Sequence, residues 1–295
     1  MKETIIRATG ETVPLRYVVV SLKGAMDEIG GYHGAQGWML ERMAECAIAS
    51  FFLSSSLKCA GALSLITYWN GEVSRVESDT TPMGLVRARV IHDEVVALGS
   101  RTPDATPVRM ETRRFDENGK ILAHSVVDMG KASIARNLAV DLLQSEQVRS
   151  AVGIQAVADP DDPSRLKYAA GWMIEAFPDC DAASLAKAEE VARNLPGFDA
   201  FLTPEGFDEH ALLAALAGDV SVKIHREIHR EIDPRPFCPC SRERMRNNII
   251  ALGKATLKAL RDEQRGAQAT CEFCRKTYDF DEDELSEMLA GLEGK

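Results

Sequence analysis

No stretch of this sequence is apolar for long enough to cross a bilayer. The longest such run, CAIASFFL at residues 46–53, has Glu41, Arg42 and Glu45 just before it. A membrane span needs about 18 apolar residues, so this run reads as a buried helix. A surplus of positive charge is also missing: 35 Lys and Arg stand against 45 Asp and Glu, a net charge of −10. That balance argues against a chain built as a whole to bind nucleic acid or a membrane surface. The opening MKETIIRATGETVPL carries charge but no apolar segment, so a signal peptide is not expected and the cytoplasm is the default compartment. Neither an internal repeat nor a low-complexity tract occurs. An odd number of cysteines, seven, does not suggest a structural disulfide framework.

What remains is the profile of a soluble globular protein, 45% hydrophobic and 27% charged over 295 residues. That length is ample for a sizeable core and suggests about two domains. The patterning predicts an α+β fold. RYVVVSL (16–22) reads as a strand, GGYHGAQG (30–37) as a glycine-rich turn, and residues 38–57 as a long apolar helix. Short strand-like runs recur from 61 to 128, with Asn70-Gly71 and Asn118-Gly119 as hairpin turns. KASIARNLAVDLLQ (131–144) has helical spacing, and AVGIQAVAD and KYAAGWMIEAF look like further strands. An N-terminal α+β core over 1–177 is therefore expected.

Residues 178–237 differ. Five of the twelve prolines fall here, alongside two modest helices and then the charged stretch KIHREIHREIDPRP. With little apolar surface to bury, the segment reads as a marginally stable linker. Residues 238–295 form a small C-terminal domain. Its last helix starts near 282, with Asp281 as cap and Glu284 at the capping-box position.

That domain holds the sharpest signal. Cys238 and Cys240 stand in FCPCSRER, and after thirty intervening residues Cys271 and Cys274 stand in TCEFCRKTYDF. Four thiolates from two short knuckles are what a closed tetrahedral zinc site requires, with no position left for substrate. A tetrathiolate zinc centre carries excess negative charge, and Arg235, Arg242, Arg244, Arg246, Arg275 and Lys276 crowd it. Spacing alone leaves three readings open: a structural zinc clip, a redox-active site, or coincidence or another metal. Were the metal lost, Cys238 and Cys240 could join in a local disulfide strained by Pro239, and Cys271 and Cys274 in an easier one.

CPCSRERMRNNIIALGKATL (238–257) followed by ATCEFCRKTYDFDEDEL (269–285) closely resembles the C-terminal zinc domain of the redox-regulated 33 kDa heat-shock chaperone family. Weaker likenesses, collinear from about residue 40 onward, lie in SLKCAGALSLITYWNGEV, QSEQVRSAVGIQAVADPDD, AAGWMIEAFPD and LTPEGFDEHALLAALAGD. Trp172 and Glu175 depart from the glycine and glutamine usual in that family, and VVDMG is a looser form of its Val-Pro-Leu-x-Gly stretch.

The resemblance implies an ATP-independent holdase rather than an enzyme, with no catalytic residues. One zinc ion per chain would be held by Cys238, Cys240, Cys271 and Cys274 in the reduced, inactive form. Oxidation would form Cys238–Cys240 and Cys271–Cys274 disulfides, release zinc and unfold both the zinc domain and the 178–237 linker. Unfolding client proteins would be the partners, bound by a homodimer, with no nucleic acid, membrane or nucleotide involved.

Other features carry less. A zinc-ribbon nucleic-acid binder would need a basic face, but residues 238–295 hold ten Lys and Arg against eleven Asp and Glu. A thiol-disulfide oxidoreductase would need an attacking cysteine free of zinc. His225 and His229 in HREIHREI lack the zincin glutamate offset and read as a solvated charged face. GKAS (130–133) and GKAT (253–256) lack the upstream glycine of a phosphate loop, and the glycines at 30, 31, 34 and 37 do not follow the dinucleotide fingerprint. Cys46 reads as a small buried side chain, Cys180 as exposed and incidental, and Cys59 has no assigned role.

Overall fold

The computed structural model describes residues 3–55, 61–70, 73–92, 107–130, 132–230 and 237–293. The chain divides into two compact units, Met1–Pro234 and Arg235–Lys295. Among the described residues no helix is long and apolar enough to cross a membrane.

The first unit is α+β. Two helices, α1 (Lys23–His33) and α2 (Trp38–Ser54), follow strands β1 (Glu3–Gly10) and β2 (Leu15–Ser21). One antiparallel sheet combines these strands with β8 (Ser150–Ala158), β9 (Leu166–Ala176) and β12 (Val222–Arg230), in the order β12-β1-β2-β9-β8. A second consists of β3 (Ala62–Trp69), β4 (Val73–Thr80), β5 (Val86–His92), β6 (Pro107–Phe115) and β7 (Ile121–Asp128), in the order β5-β4-β3-β6-β7. Helix α2 packs against strands of both sheets. Fourteen of its 17 residues are buried, which is why its sequence is apolar on every face instead of along one stripe. Its serines bond to their own helix: Ser50 Oγ donates to the Ala47 carbonyl at 2.8 Å and Ser54 Oγ to that of Phe51 at 3.0 Å. Helix α3 (Ile134–Ser145) packs on β8 and begins at Ser133, whose hydroxyl accepts from the Arg136 N–H.

The glycine-rich stretch 30–37 is only half a turn. Gly30 to His33 complete α1, and the chain breaks at Gly34, whose φ of 62° is left-handed. Gly30 serves packing instead: a Cβ there would stand 2.4 Å from Leu40 Cδ1 of α2. The helix expected over 38–57 ends at Ser54. The Asn118-Gly119 turn joins β6 to β7 with Gly119 at φ 81°, whereas Gly71 of the other expected turn lies outside the described residues. In the first sheet Gly153 pairs with Trp172, and the indole covers it so closely that a Cβ would come within 2.4 Å of the ring.

The segment read as a linker is ordered here as a layer on the outer face of the first sheet. It comprises α4 (Ala182–Asn194), a 3-10 turn (Phe198–Phe201), the short strands β10 (Leu202–Thr203) and β11 (Gly206–Phe207), and α5 (Glu209–Ala217). Asp181 and Asp208 cap its two helices. Phe201, Leu212, Leu213 and Leu216 cover Ile6, Tyr17, Val19, Trp172 and Ile174. The chain then returns as β12, so HREIHREI is largely edge strand, not helix, and His225 shares a hydrogen bond with Thr9 Oγ1. The side chain of His229 lies outside the described residues.

The second unit consists of α6 (Arg242–Ala251), α7 (Lys254–Gln264), a hairpin of β13 (Gly266–Thr270) and β14 (Thr277–Asp281), and α8 (Glu282–Glu293). Ile249, Leu257, Tyr278, Phe280, Leu285, Met288 and Leu289 form its small core. The capping box is present: the Glu284 N–H donates to Asp281 Oδ1 at 2.9 Å, and the Asp281 N–H to Glu284 Oε2 at 3.1 Å.

Candidate metal centre

Cys271 and Cys274 occupy the six-residue loop of the β13–β14 hairpin. The Cys271 N–H donates to the Lys276 carbonyl, and the Arg275 N–H to the Cys271 carbonyl, each at 2.9 Å. Arg275 takes a left-handed φ of 57°, which turns the chain back into β14 after the second cysteine. The other knuckle precedes α6. Ser241 caps that helix by accepting from the Arg244 N–H, and Arg244 Nη1 donates to the Pro239 carbonyl at 3.0 Å. Helix start and knuckle are thereby built from one seven-residue stretch, Cys238–Arg244.

These two loops bring together all four cysteines expected as ligands. Their sulfurs lie within 4.8 Å of one another, with Cys238 to Cys271 at 3.5 Å and Cys240 to Cys274 at 3.4 Å. Zn–S bonds of about 2.3 Å imply tetrahedral S···S edges of about 3.8 Å, so the donor set suits zinc in number, element and spacing. Among the described residues this is the one group of three or more possible metal ligands.

The protons on Cys238, Cys271 and Cys274 are unequally held. Burial works to raise the Cys271 pKa, but amide donation from Cys274 and Phe273 and contacts with neighbouring thiols outweigh it, bringing it down to about 7. Burial pushes Cys238 up, and it also pushes Cys274 up, to about 12, aided there by thiol contacts with Cys240 and Cys238.

Of the bases that crowd the site, Arg242 and Lys276 also make contacts of their own. Arg242 is held by both Glu284 oxygens, at 2.8 and 2.7 Å, and by the Asp279 carbonyl at 2.6 Å, while it stacks on Phe280. It ties the start of α6 to α8. Lys276 sits over the Tyr278 ring, and Arg235 lies outside the described residues. Cys46 is fully buried in α2 and its pKa is raised, above all by burial. Cys180 is half-buried instead of exposed, and Cys59 lies outside the described residues.

Tyr278 was not legible as a site residue. Its hydroxyl lies 3.3 Å from both Cys240 Sγ and the Cys240 carbonyl. Only its place on the strand after the knuckle, alternating with Phe280 toward the core, could have pointed to it. Groups that orient metal ligands commonly contribute tenfold or more to affinity. Tyr278→Phe is expected to weaken zinc retention by roughly tenfold without unfolding the unit, as read by chelator competition.

A family model described as Hsp33 protein matches residues 3–281. The 33 kDa chaperonin of Streptococcus gordonii is 34% identical over 166 residues, covering 56% of this chain and 55% of the relative. That of Streptococcus thermophilus is 35% identical over 156 residues, covering 53% and 52%. The chain thus spans about half the length of the curated relatives it matches. In fold, the chain is similar to the 33 kDa chaperonin (heat shock protein 33 homolog) of Thermotoga maritima, with a TM-score of 0.82 at 20% identity over 99% of each chain.

Proposed function

Because the chain belongs to the Hsp33 family, which residues 3–281 match, we propose that it is a cytoplasmic, ATP-independent holdase switched on by oxidation. The observation that carries this reading is the convergence of Cys238, Cys240, Cys271 and Cys274 within 4.8 Å from two separate loops. When bound to these four residues, zinc would supply a closed tetrahedral clasp and much of the folding free energy of so small a unit.

Oxidation removes donors from that clasp. Two thiols and one peroxide give one disulfide and two waters, so Cys238 with Cys240, and Cys271 with Cys274, would each give up two electrons and two protons. The second unit would then rest on its seven-residue apolar cluster alone.

The layer over the first sheet is suited to follow. Helix α4 buries no residue fully. Cavities of about 290 Å³ and 170 Å³ undercut it on either side, and Leu15 and Ala188 line both. Missing contacts of this kind make an element cheap to detach. Detachment would uncover Ile6, Leu15, Tyr17, Val19, Trp172 and Ile174, an apolar sheet face on which unfolding clients could be held, with a homodimer as the active form.

The test treats reduced, zinc-loaded protein with peroxide under mild heating and follows zinc release and suppression of client aggregation together. Both are expected to rise in parallel. Zinc release with no suppression would remove the chaperone reading, and zinc that peroxide cannot dislodge would make the site a structural clip. Disulfide turnover by the reduced protein would instead favour an oxidoreductase.

A further inference from the structure

On the face of the first sheet that looks toward α2, Arg7 of β1 stands directly opposite Arg226 of β12. Arg16 of β2 lies on the same face two residues from Val18, the partner of Arg7, and itself faces Glu175 of β9. Like charges directly opposite on neighbouring strands repel and weaken their pairing. Arg16 is neutralised by an ion pair with Glu175. Among the described residues no ion pair joins Arg7 or Arg226 to a carboxylate.

The remaining contacts of these two guanidinium groups are poor. Arg226 Nη2 donates to Met83 Sδ at 3.1 Å, and a thioether is a weak acceptor. Among the described residues, Arg7 Nε and Nη2 are buried without a hydrogen-bond partner. Those two N–H groups share one edge of the guanidinium, the edge that grips an oxyanion at two points. Burial first, then Arg226 and Arg16, draw the Arg7 pKa down to about 10, as befits a cation held without counter-charge. Met83, in the turn between β4 and β5, is 47% exposed, so its contact with Arg226 lies at the surface.

We propose that Arg7 and Arg226, with Arg16 beside them, bind a small tetrahedral oxyanion of the phosphate class that displaces Met83 from Arg226. The anion fills the free fork of Arg7 and replaces the thioether on Arg226. By neutralising a repelling pair it fastens β12 to β1. Strand β12 is the last of the first unit and leads toward Cys238, so occupancy sets how firmly the layer over the sheet is tied down. That regulatory consequence rests on the switch reading; the site itself does not.

Thermal unfolding of the reduced, zinc-loaded protein tests the site, with millimolar inorganic phosphate or sulfate compared against chloride at equal ionic strength. Phosphate is expected to raise Tm saturably, by about 3–5 °C at tenfold its dissociation constant, and chloride to leave it unchanged. Arg7→Met and Arg226→Met should each abolish the rise. In phosphate-free buffer each should unfold no earlier than wild type, because the repelling pair is gone. A rise that never saturates, or that persists in both variants, would be a general salt effect and would overturn the site. Variants that unfold markedly earlier without phosphate would overturn it too, since the arginines would then be structural. Should a variant not fold, phosphorus NMR line widths of phosphate titrated with wild type decide: saturable broadening supports the site and its absence overturns it. No oxidant is used, so this outcome and that of the peroxide experiment are independent.

Discussion

Replacing Cys271 by serine is expected to leave residues 237–293 without a persistent fold while α2 and the strands packed against it stay folded. Serine keeps the backbone hydrogen bonds that Cys271 makes with Lys276 and Arg275, so the substitution removes a metal donor and little else. Seven buried side chains from about sixty residues cannot offset the conformational entropy of ordering them. The capping box and the solvent-exposed Arg242–Glu284 pair add little to this. A structural tetrathiolate zinc site contributes on the order of 10–16 kcal/mol of apparent binding energy, comparable to the whole net stability of an ordinary domain. Hydrogen exchange provides the measurement. The amides of β13, β14 and α8 should exchange at nearly unprotected rates in Cys271→Ser, while those of α2 keep their protection. Protected β13 and β14 amides in a zinc-free variant would show that the apolar cluster holds the unit unaided, and the switch would lose its lever.

The metal centre was legible because its information is local. Cys-x-Cys and Cys-x-x-Cys each fit within one turn, and only one long-range fact, that the turns meet, had to be supplied by the fold. Helix α2 was legible because burial from both sheets leaves it apolar all round. Errors arose where a residue type serves two purposes. Glycines at 30 and 31 look like a turn, yet Gly30 is a contact point between two helices. The alternation of charge in HREIHREI hides a strand, because an edge strand exposes polar residues on more than one side. Residues 178–237 read as a marginally stable linker because α4 is sparsely apolar; the face it packs on is built largely from β1 and β2, more than a hundred residues away in sequence. Tyr278 and Arg7 depend on partners across a sheet or a loop, and no spacing rule reaches that far.

Peroxide should produce disulfides within each knuckle, Cys238–Cys240 and Cys271–Cys274, even though Cys238 and Cys271 already lie 3.5 Å apart across the knuckles and Cys240 and Cys274 3.4 Å. The two outcomes have opposite effects on folding. A bridge from Cys238 to Cys271 closes a loop of about 34 residues and, on the chain-entropy estimate, disfavours unfolding by about 3.8 kcal/mol. A bridge from Cys238 to Cys240 closes about three residues, for about 1.6 kcal/mol before strain is subtracted. Cross-knuckle bonds would therefore replace the metal clasp with a covalent one and keep the unit shut. Bonds within the knuckles use up the donors yet leave the two loops free to separate, which is the only pairing a switch that opens can use. Trypsin distinguishes them directly. Cleavage after Arg242 leaves Cys238 and Cys240 in one peptide, and cleavage after Arg265 and Arg275 leaves Cys271 and Cys274 in GAQATCEFCR. Within-knuckle bonds give two separate peptides, each lighter by two hydrogens, and these should account for nearly all of the zinc-free product. A predominance of the two peptides joined to each other would mean that oxidation locks the second unit, and activation by its unfolding would have to be abandoned.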